Sequence, residues 1–326
     1  EIYQTNLDLN RINKSKVWFA LADNYDCCSG CLEKFPNRIY YSEKSFLEEK
    51  FDSYSKILPL NYTTIPGEYG EITNIFAIKN NLFVHTKSNL WLIPKNTQER
   101  VVNEYVSLVG TGGFLAAEAI KIVDTDHGNM GSTQKLATLK TQYGTFFVDD
   151  SKGVIHQINY GSRQGTESKV ISNAGMEKWF RKNIPFQLGK QVYSLTKYTF
   201  KNTQNTISDN GIGFIAAYDD LFKRLLFTKK DYLIKDEFLD KFQVIDSGDI
   251  QDGIQIPLPE PLLYSYVVFN KYDDKFYLIS PANGFDGLLA TWIKLNNQTY
   301  FINKSWTLSY SLLNGTWVSY HSYIPN

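Results

Sequence analysis

The sequence predicts an all-β protein, and three observations carry that expectation. Aromatic residues make up 15% of a chain that is 43% hydrophobic, with 22 Tyr and 21 Phe but only 10 Pro, a profile of folded strands rather than of disorder. Alternating or wholly apolar runs recur in pairs, each pair joined by a short polar turn. Apolar residues at helical spacing are scarce.

The paired runs can be read in order as hairpins. The first spans Ile75 to Ile93 around Lys79-Asn80-Asn81, and the second Thr145 to Ile158 around Asp149-Asp150-Ser151-Lys152-Gly153. The third spans Gly213 to Thr228 around Asp219-Asp220, the fourth Tyr264 to Ser280 around Tyr272-Asp273-Asp274, and the fifth Trp306 to Tyr320 around Asn314-Gly315. A hairpin recurring about every 40 to 70 residues is the spacing of a β-propeller, in which each blade is a small antiparallel sheet. Radial packing covers both faces of each blade, as the near-continuous apolar runs Phe146-Phe147-Val148, Leu225-Leu226-Phe227 and Tyr266-Val267-Val268-Phe269 require. The expected fold is therefore a β-propeller built from repeated antiparallel hairpins, with a few short helices in loops. Residues 71–326 supply the blades, and segment 1–70 closes or decorates them.

The best helix candidate follows Ile171-Ser172-Asn173-Ala174-Gly175. There Met176, Trp179 and Phe180 fall at i, i+3 and i+4 before Pro185 stops the run. Such an aromatic stripe is core on a short helix outside a blade rather than a cofactor or partner face. FLEEKFDSY, Phe46 to Tyr54, offers one or two more helical turns, and Gly-rich loops stand at Gly110 to Gly113 and Gly128 to Ser132.

At 326 residues one large domain or two ordinary ones fit, since a chain of this size buries roughly 75% of its unfolded surface. Lys plus Arg is 34 and Asp plus Glu is 34, so the net charge is zero and a dedicated nucleic-acid binder is disfavoured. Neutrality is compatible with a conduit, because a strongly basic wall would hold DNA instead of letting it pass. No apolar run approaches the roughly 20 residues that span a bilayer and no signal peptide opens the chain, so a protein without a membrane is expected. Residue 1 is Glu, which reads as a processed or excised piece. The sequons at Asn13, Asn61, Asn297, Asn303 and Asn314 are expected by chance in a chain rich in Asn, Lys and Thr.

Motifs that would carry chemistry are weak. Cys27, Cys28 and Cys31 form a local, odd-numbered cluster that cannot build a disulfide framework and lacks the second half of a zinc site. Asp149-Asp150, Asp219-Asp220 and Asp273-Asp274 suggest paired carboxylates for glycoside hydrolysis. All three occupy hairpin turns, however, where Asp bonds its own backbone. Asp124-Thr125-Asp126-His127 could hold a metal, or simply be a solvated loop. Four histidines, His85, His127, His156 and His321, come with no GxSxG elbow, no P-loop and no GxGxxG followed by a helix. The expectation is no enzyme, no catalytic residue, no metal and no cofactor. The dense basic cluster is Lys223-Arg224 with Lys229-Lys230, a candidate contact for DNA or a neighbouring subunit, or else a blade edge protected by charge.

Several blocks in order carry a resemblance. They are Phe35-Pro36-Asn37-Arg38-Ile39-Tyr40-Tyr41-Ser42, Gly70-Glu71-Ile72-Thr73, Gly110-Thr111-Gly112-Gly113-Phe114 and Tyr143-Gly144-Thr145-Phe146-Phe147-Val148-Asp149. Further on come Gly175-Met176-Glu177-Lys178-Trp179-Phe180, the run from Phe222 to Asp231, Trp306 to Ser311 and Trp317 to Asn326. Together they resemble the tail nozzle, muzzle or DNA-stabilisation proteins of crAss-like and related short-tailed phages, over nearly the whole chain.

The resemblance implies a virion structural protein of the phage tail, with propellers set as an oligomeric ring around the DNA channel. Such a ring retains packaged DNA and allows its ejection. The implied partners are further copies of the chain, adaptor, portal and fibre proteins, and passing double-stranded DNA without sequence specificity. Family members continue past the terminal block, so the chain reads as part of a larger protein. The alternative from the residues themselves is a carbohydrate- or receptor-binding propeller, since its many Tyr and Trp could stack on sugars.

Overall fold

The computed structural model describes residues 35–42, 57–58, 60–78, 81–93, 118–124, 128–161, 165–200, 211–245, 266–271, 274–281 and 288–322. The chain forms two compact units, Glu1–Asn129 and Met130–Asn326. The Cys27 to Cys31 cluster, the Phe46 to Tyr54 stretch and the Gly110 to Gly113 loop lie outside the described residues.

In the first unit, β1 (Arg38–Tyr40) pairs with β2 (Tyr62–Thr64) as a two-stranded ribbon. The strands β3 (Ile72–Ile78), β4 (Asn81–Thr86), β5 (Leu90–Ile93), β6 (Ile120–Asp124) and β7 (Gly128–Asn129) follow as a five-stranded meander. Ile39 and Ile65 from the ribbon meet Val84, Trp91 and Ile93 from the meander in one buried cluster. The first expected hairpin is β3–β4. Asp124 pairs with Gly128 between β6 and β7, and Thr125, Asp126 and His127 lie outside the described residues.

In the second unit, β8 (Leu139–Thr141), β9 (Gly144–Asp149), β10 (Val154–Gly161) and β11 (Gly165–Val170) make a four-stranded antiparallel meander. Phe146, Phe147 and Val148 on β9 are all fully buried, as a strand covered on both faces requires. Each buried Phe contributes roughly 1.5–3 kcal/mol. The β9–β10 turn closes on Gly153 at φ 69°, with the backbone of Arg181 3.1 Å from where a Cβ would stand. A side chain there would therefore meet both backbone strain and a helix.

Two helices follow, α1 (Glu177–Asn183) and α2 (Gln187–Thr196). The expected aromatic stripe on α1 faces the core. Phe180 is buried, its ring 4.5 Å from Trp317, and Trp179 stands edge-on to Trp306 at 5.0 Å. Pro185 separates the helices, and α2, with Leu188 and Val192 buried one turn apart, adds a helix to the one expected.

The remaining strands are β12 (Gly213–Asp219), β13 (Arg224–Lys230), β14 (Tyr232–Ile234), β15 (Phe242–Ile245), β16 (Tyr266–Asn270), β17 (Lys275–Pro281), β18 (Leu288–Ile293), β19 (Phe301–Asn303), β20 (Trp306–Ser311) and β21 (Thr316–His321). All five expected hairpins form: β3–β4, β9–β10, β12–β13, β16–β17 and β20–β21. Not every one makes a sheet of its own, because β12–β13 and β20–β21 merge through the β13–β20 pairing into one four-stranded sheet. That ladder runs on into β14–β19 with unchanged offset. Lys229 faces Trp306, Tyr232 faces Asn303, and the Lys304 amide donates to the Asp231 carbonyl between them at 2.9 Å.

Strands β15–β18 form a further sheet within this long ladder, and β15 and β16 are its one parallel pair among the described residues. Phe269 and Phe276 from this sheet join Phe227, Trp306 and Phe301 in the unit's main buried cluster. The fold is all-β with two helices among the described residues.

Candidate functional site

The four cations singled out by charge fall at opposite ends of β13 and in opposite environments. Lys223 ends the β12–β13 turn at φ 49°, and Arg224 begins β13. Asp219 builds this turn: its Oδ1 accepts the Leu221 and Phe222 amides at 3.1 and 3.2 Å. Its Oδ2 accepts Arg224 Nε at 2.9 Å, and the Lys223 ammonium pairs with Asp220 at 2.5 Å. The Arg224 hydrogen bond holds the Asp219 carboxyl below its ordinary range, and the Lys223 hydrogen bond does the same for Asp220. The Asp220 hydrogen bond in turn raises Lys223. The tip is thus a closed set of two cations and two anions.

At the other end Lys229 is 1% exposed and Lys230 is buried beside it. Lys229 Nζ donates to the Asn183 and Pro185 carbonyls at 2.8 and 3.0 Å and to Asp231 Oδ2 at 2.6 Å. Burial pushes Lys229 below the ordinary lysine range, against the pull of the Asp231 carboxylate. Asp231 also accepts the Gln187 and Leu188 amides at 2.8 and 3.3 Å, capping α2 from another element. The four cations therefore do not form one surface patch, and only Lys223 and Arg224 reach solvent. The alternation in the sequence carried the signal: Leu225, Phe227 and Lys229 share one strand face, and that face is buried.

The doubled aspartates are turn and loop anchors. Asp149 Oδ1 accepts Ser151 Oγ at 2.5 Å and the Lys152 amide at 3.0 Å, and its Oδ2 accepts the Gly131 amide at 3.2 Å. Asp150 accepts the amide and hydroxyl of Thr133 at 3.1 and 2.9 Å. Burial raises both carboxyls above their ordinary value. Asp274 closes the β16–β17 turn at φ 59°, and Asp273 lies outside the described residues.

His85 and His156 are buried ring partners of Phe76 at 5.0 Å and Phe147 at 5.2 Å. His321 meets Ser319 Oγ at 3.1 Å on β21, while His127 lies outside the described residues. Among the described residues no three His, Cys, Asp or Glu side chains gather as metal ligands.

What the sheet end does present is apolar. Leu221, Phe222 and Leu313 at the two adjoining tips are 81%, 61% and 71% exposed. The tips are joined by the Leu312 amide, which donates to the Lys223 carbonyl at 3.0 Å. On the first unit's ribbon, the Arg38 guanidinium lies 3.8 Å from the Phe35 ring centroid and 4.3 Å from that of Tyr62.

A protein-family model described as Crassvirus muzzle protein matches residues 24–326. The chain belongs to the Crassvirus muzzle protein family. No curated protein matches it. Membership makes the chain a bacteriophage virion structural protein located in the tail. Among the described residues of this muzzle-family chain, no helix is long and apolar enough to cross a membrane.

Proposed function

We propose that the chain is a wall element of the tail nozzle: a β-propeller whose copies form a ring around the DNA channel, retain the packaged genome and let it leave at infection. The observation that carries this reading is the muzzle-family match over residues 24–326. The four-stranded meander β8–β11 has the size and strand order of a blade. The sheet that joins β12–β13 to β20–β21 draws on hairpins far apart in the chain, which the reading takes as a blade completed by a returning strand pair. In this reading the blades occupy residues 71–326 and the preceding segment decorates them.

Electrostatics support passage rather than capture. The chain has zero net charge, and the two cations that reach the surface of the sheet end are matched by Asp219 and Asp220. A wall of that kind releases few counterions from DNA and so does not grip it. Lys223 and Arg224 are the proposed contacts to DNA or a neighbouring subunit, while Lys229 and Lys230 act inside the fold. Adaptor, portal and fibre proteins are the proposed neighbours, and the role is structural, with no catalytic residue or cofactor assigned.

Cryo-electron microscopy of the intact particle tests the reading. Density for this chain is expected as a ring about the tail channel, and density on a peripheral fibre instead would overturn it.

A further inference from the structure

We propose that the exposed cations of α1 and α2, Lys178, Arg181, Lys182 and Lys190, contact the phosphate backbone of duplex DNA. The proposal rests on the channel reading above for its ligand and adds the surface of the second unit that touches it.

Between Glu177 and Lys197 the sequence holds five cations, Lys178, Arg181, Lys182, Lys190 and Lys197, against one acid, Glu177, so a chain that is neutral overall is locally basic. On α1 the charges take one side. Met176, Trp179 and Phe180 pack on the core, while Lys178, Arg181 and Lys182, spaced i, i+3 and i+4, are exposed on the opposite face. Lys190, exposed on α2, lies close enough to Lys229 to oppose its positive charge, and Lys229 itself bonds the Asn183 and Pro185 carbonyls where α1 ends. The exposed Lys152 adjoins from the β9–β10 turn, because the neighbouring Gly153 lies against the Arg181 backbone.

Most of these charges lack an internal partner. Glu177 is bound to Arg181 at 2.7 Å, and Lys178, Lys182 and Lys190 pair with no carboxylate among the described residues, in contrast to the closed set at the β12–β13 tip. Helix stability does not account for them all. Arg181 and Lys182 suit the negative end of α1, but Lys178 and Lys190 stand in first turns, where a cation meets the positive end of the helix dipole. The makeup of the face selects the ligand. No large apolar side chain of α1 is exposed, and Lys is depleted at interfaces between proteins, whereas Lys and Arg are the residues that neutralise phosphates. Three or four such contacts hold duplex DNA lightly, and a light hold permits sliding.

The test is fluorescence anisotropy of a labelled DNA duplex of about 20 base pairs, titrated with the full chain at salt from about 20 to about 200 mM NaCl. Binding is expected at the lowest salt, with log affinity falling against log salt at a slope of about −3. The pair Lys178→Gln and Lys182→Gln reduces the steepness of that slope by about 2, one for each phosphate contact, with melting unchanged because both side chains are exposed. No binding at the lowest salt, or an unchanged slope in the double variant, overturns the contact. An acidic peptide of matched charge that binds more tightly than the duplex makes the face a protein interface and overturns it as well. Particle microscopy separates this from failure of the ring reading. A ring in which α1 faces away from the channel removes the DNA contact alone, whereas a chain found outside any ring removes both.

Discussion

Lys229 and Asp231 lie two positions apart on the ladder and reach two different helices. Lys229 meets the Asn183 carbonyl at the end of α1, and Asp231 meets the first amides of α2. Each charge thus faces the helix terminus of opposite partial charge. Removing one partner strands the other in a dry site, so Lys229→Ala is expected to cost about 3–5 kcal/mol in urea unfolding. Replacing both residues by Met and Leu should recover much of that loss, apart from the cap on α2. A single mutant within about 1 kcal/mol of wild type would show that the pair is solvated. Asp149 and Asp150 offer a second measurement. Burial holds both above the ordinary value of 3.8, so each binds its proton more tightly folded than unfolded. Their contribution to stability is greatest below pH 3.8 and fades as pH rises through the raised values. Asp150→Asn can keep both Thr133 contacts and removes one titration. A series of urea midpoints across weak acid should therefore show a flatter slope in the variant, and identical slopes would contradict the assignment.

At the scale of elements, the hairpins were legible because their information is local. Period-two alternation and an Asp or Asn turn lie within about twenty residues of each other. The α1 stripe was legible for the same reason. Helix α2 was not, because it carries Gly189 and no capping side chain of its own, and the cap comes from Asp231, 44 residues on from Gln187. The second tie is also distant: Gln191 pairs with the backbone of Ile234 through both amide atoms, at 3.0 and 2.7 Å. For the candidate site, counting charges grouped Lys223 and Arg224 with Lys229 and Lys230, whereas strand alternation would have separated Lys229 from the surface. The exposed Leu221, Phe222 and Leu313 drew no notice, since a sequence does not announce which apolar side chains stay wet.

The molecule as a whole is organised in its second unit by one long antiparallel ladder whose two rails are about 80 residues apart, as in the Thr228 to Thr307 hydroxyl contact. Trp306 sits where that ladder meets the helices. It approaches Trp179, Phe180 and Phe214 and donates Nε1 to Asn183 at 3.3 Å. Trp306→Ala is expected to cost about 3–5 kcal/mol. Hydrogen exchange should show the amides of β12–β13 and of α1 losing protection together, and loss confined to β20 would mean that the sheet is not one cooperative body. The uniform offset of the ladder has a further consequence. Its last rung before the inner sheet is the Lys235 amide on the Tyr300 carbonyl, 3.0 Å, so the chain leaves the ladder at Lys235 and rejoins it at Tyr300. A cassette spliced in there, longer or shorter, would leave each rung outside it in phase. The rungs thus tolerate a change of length between Lys235 and Tyr300 so long as Phe269 and Phe276, which the span sends into the buried cluster, keep their places.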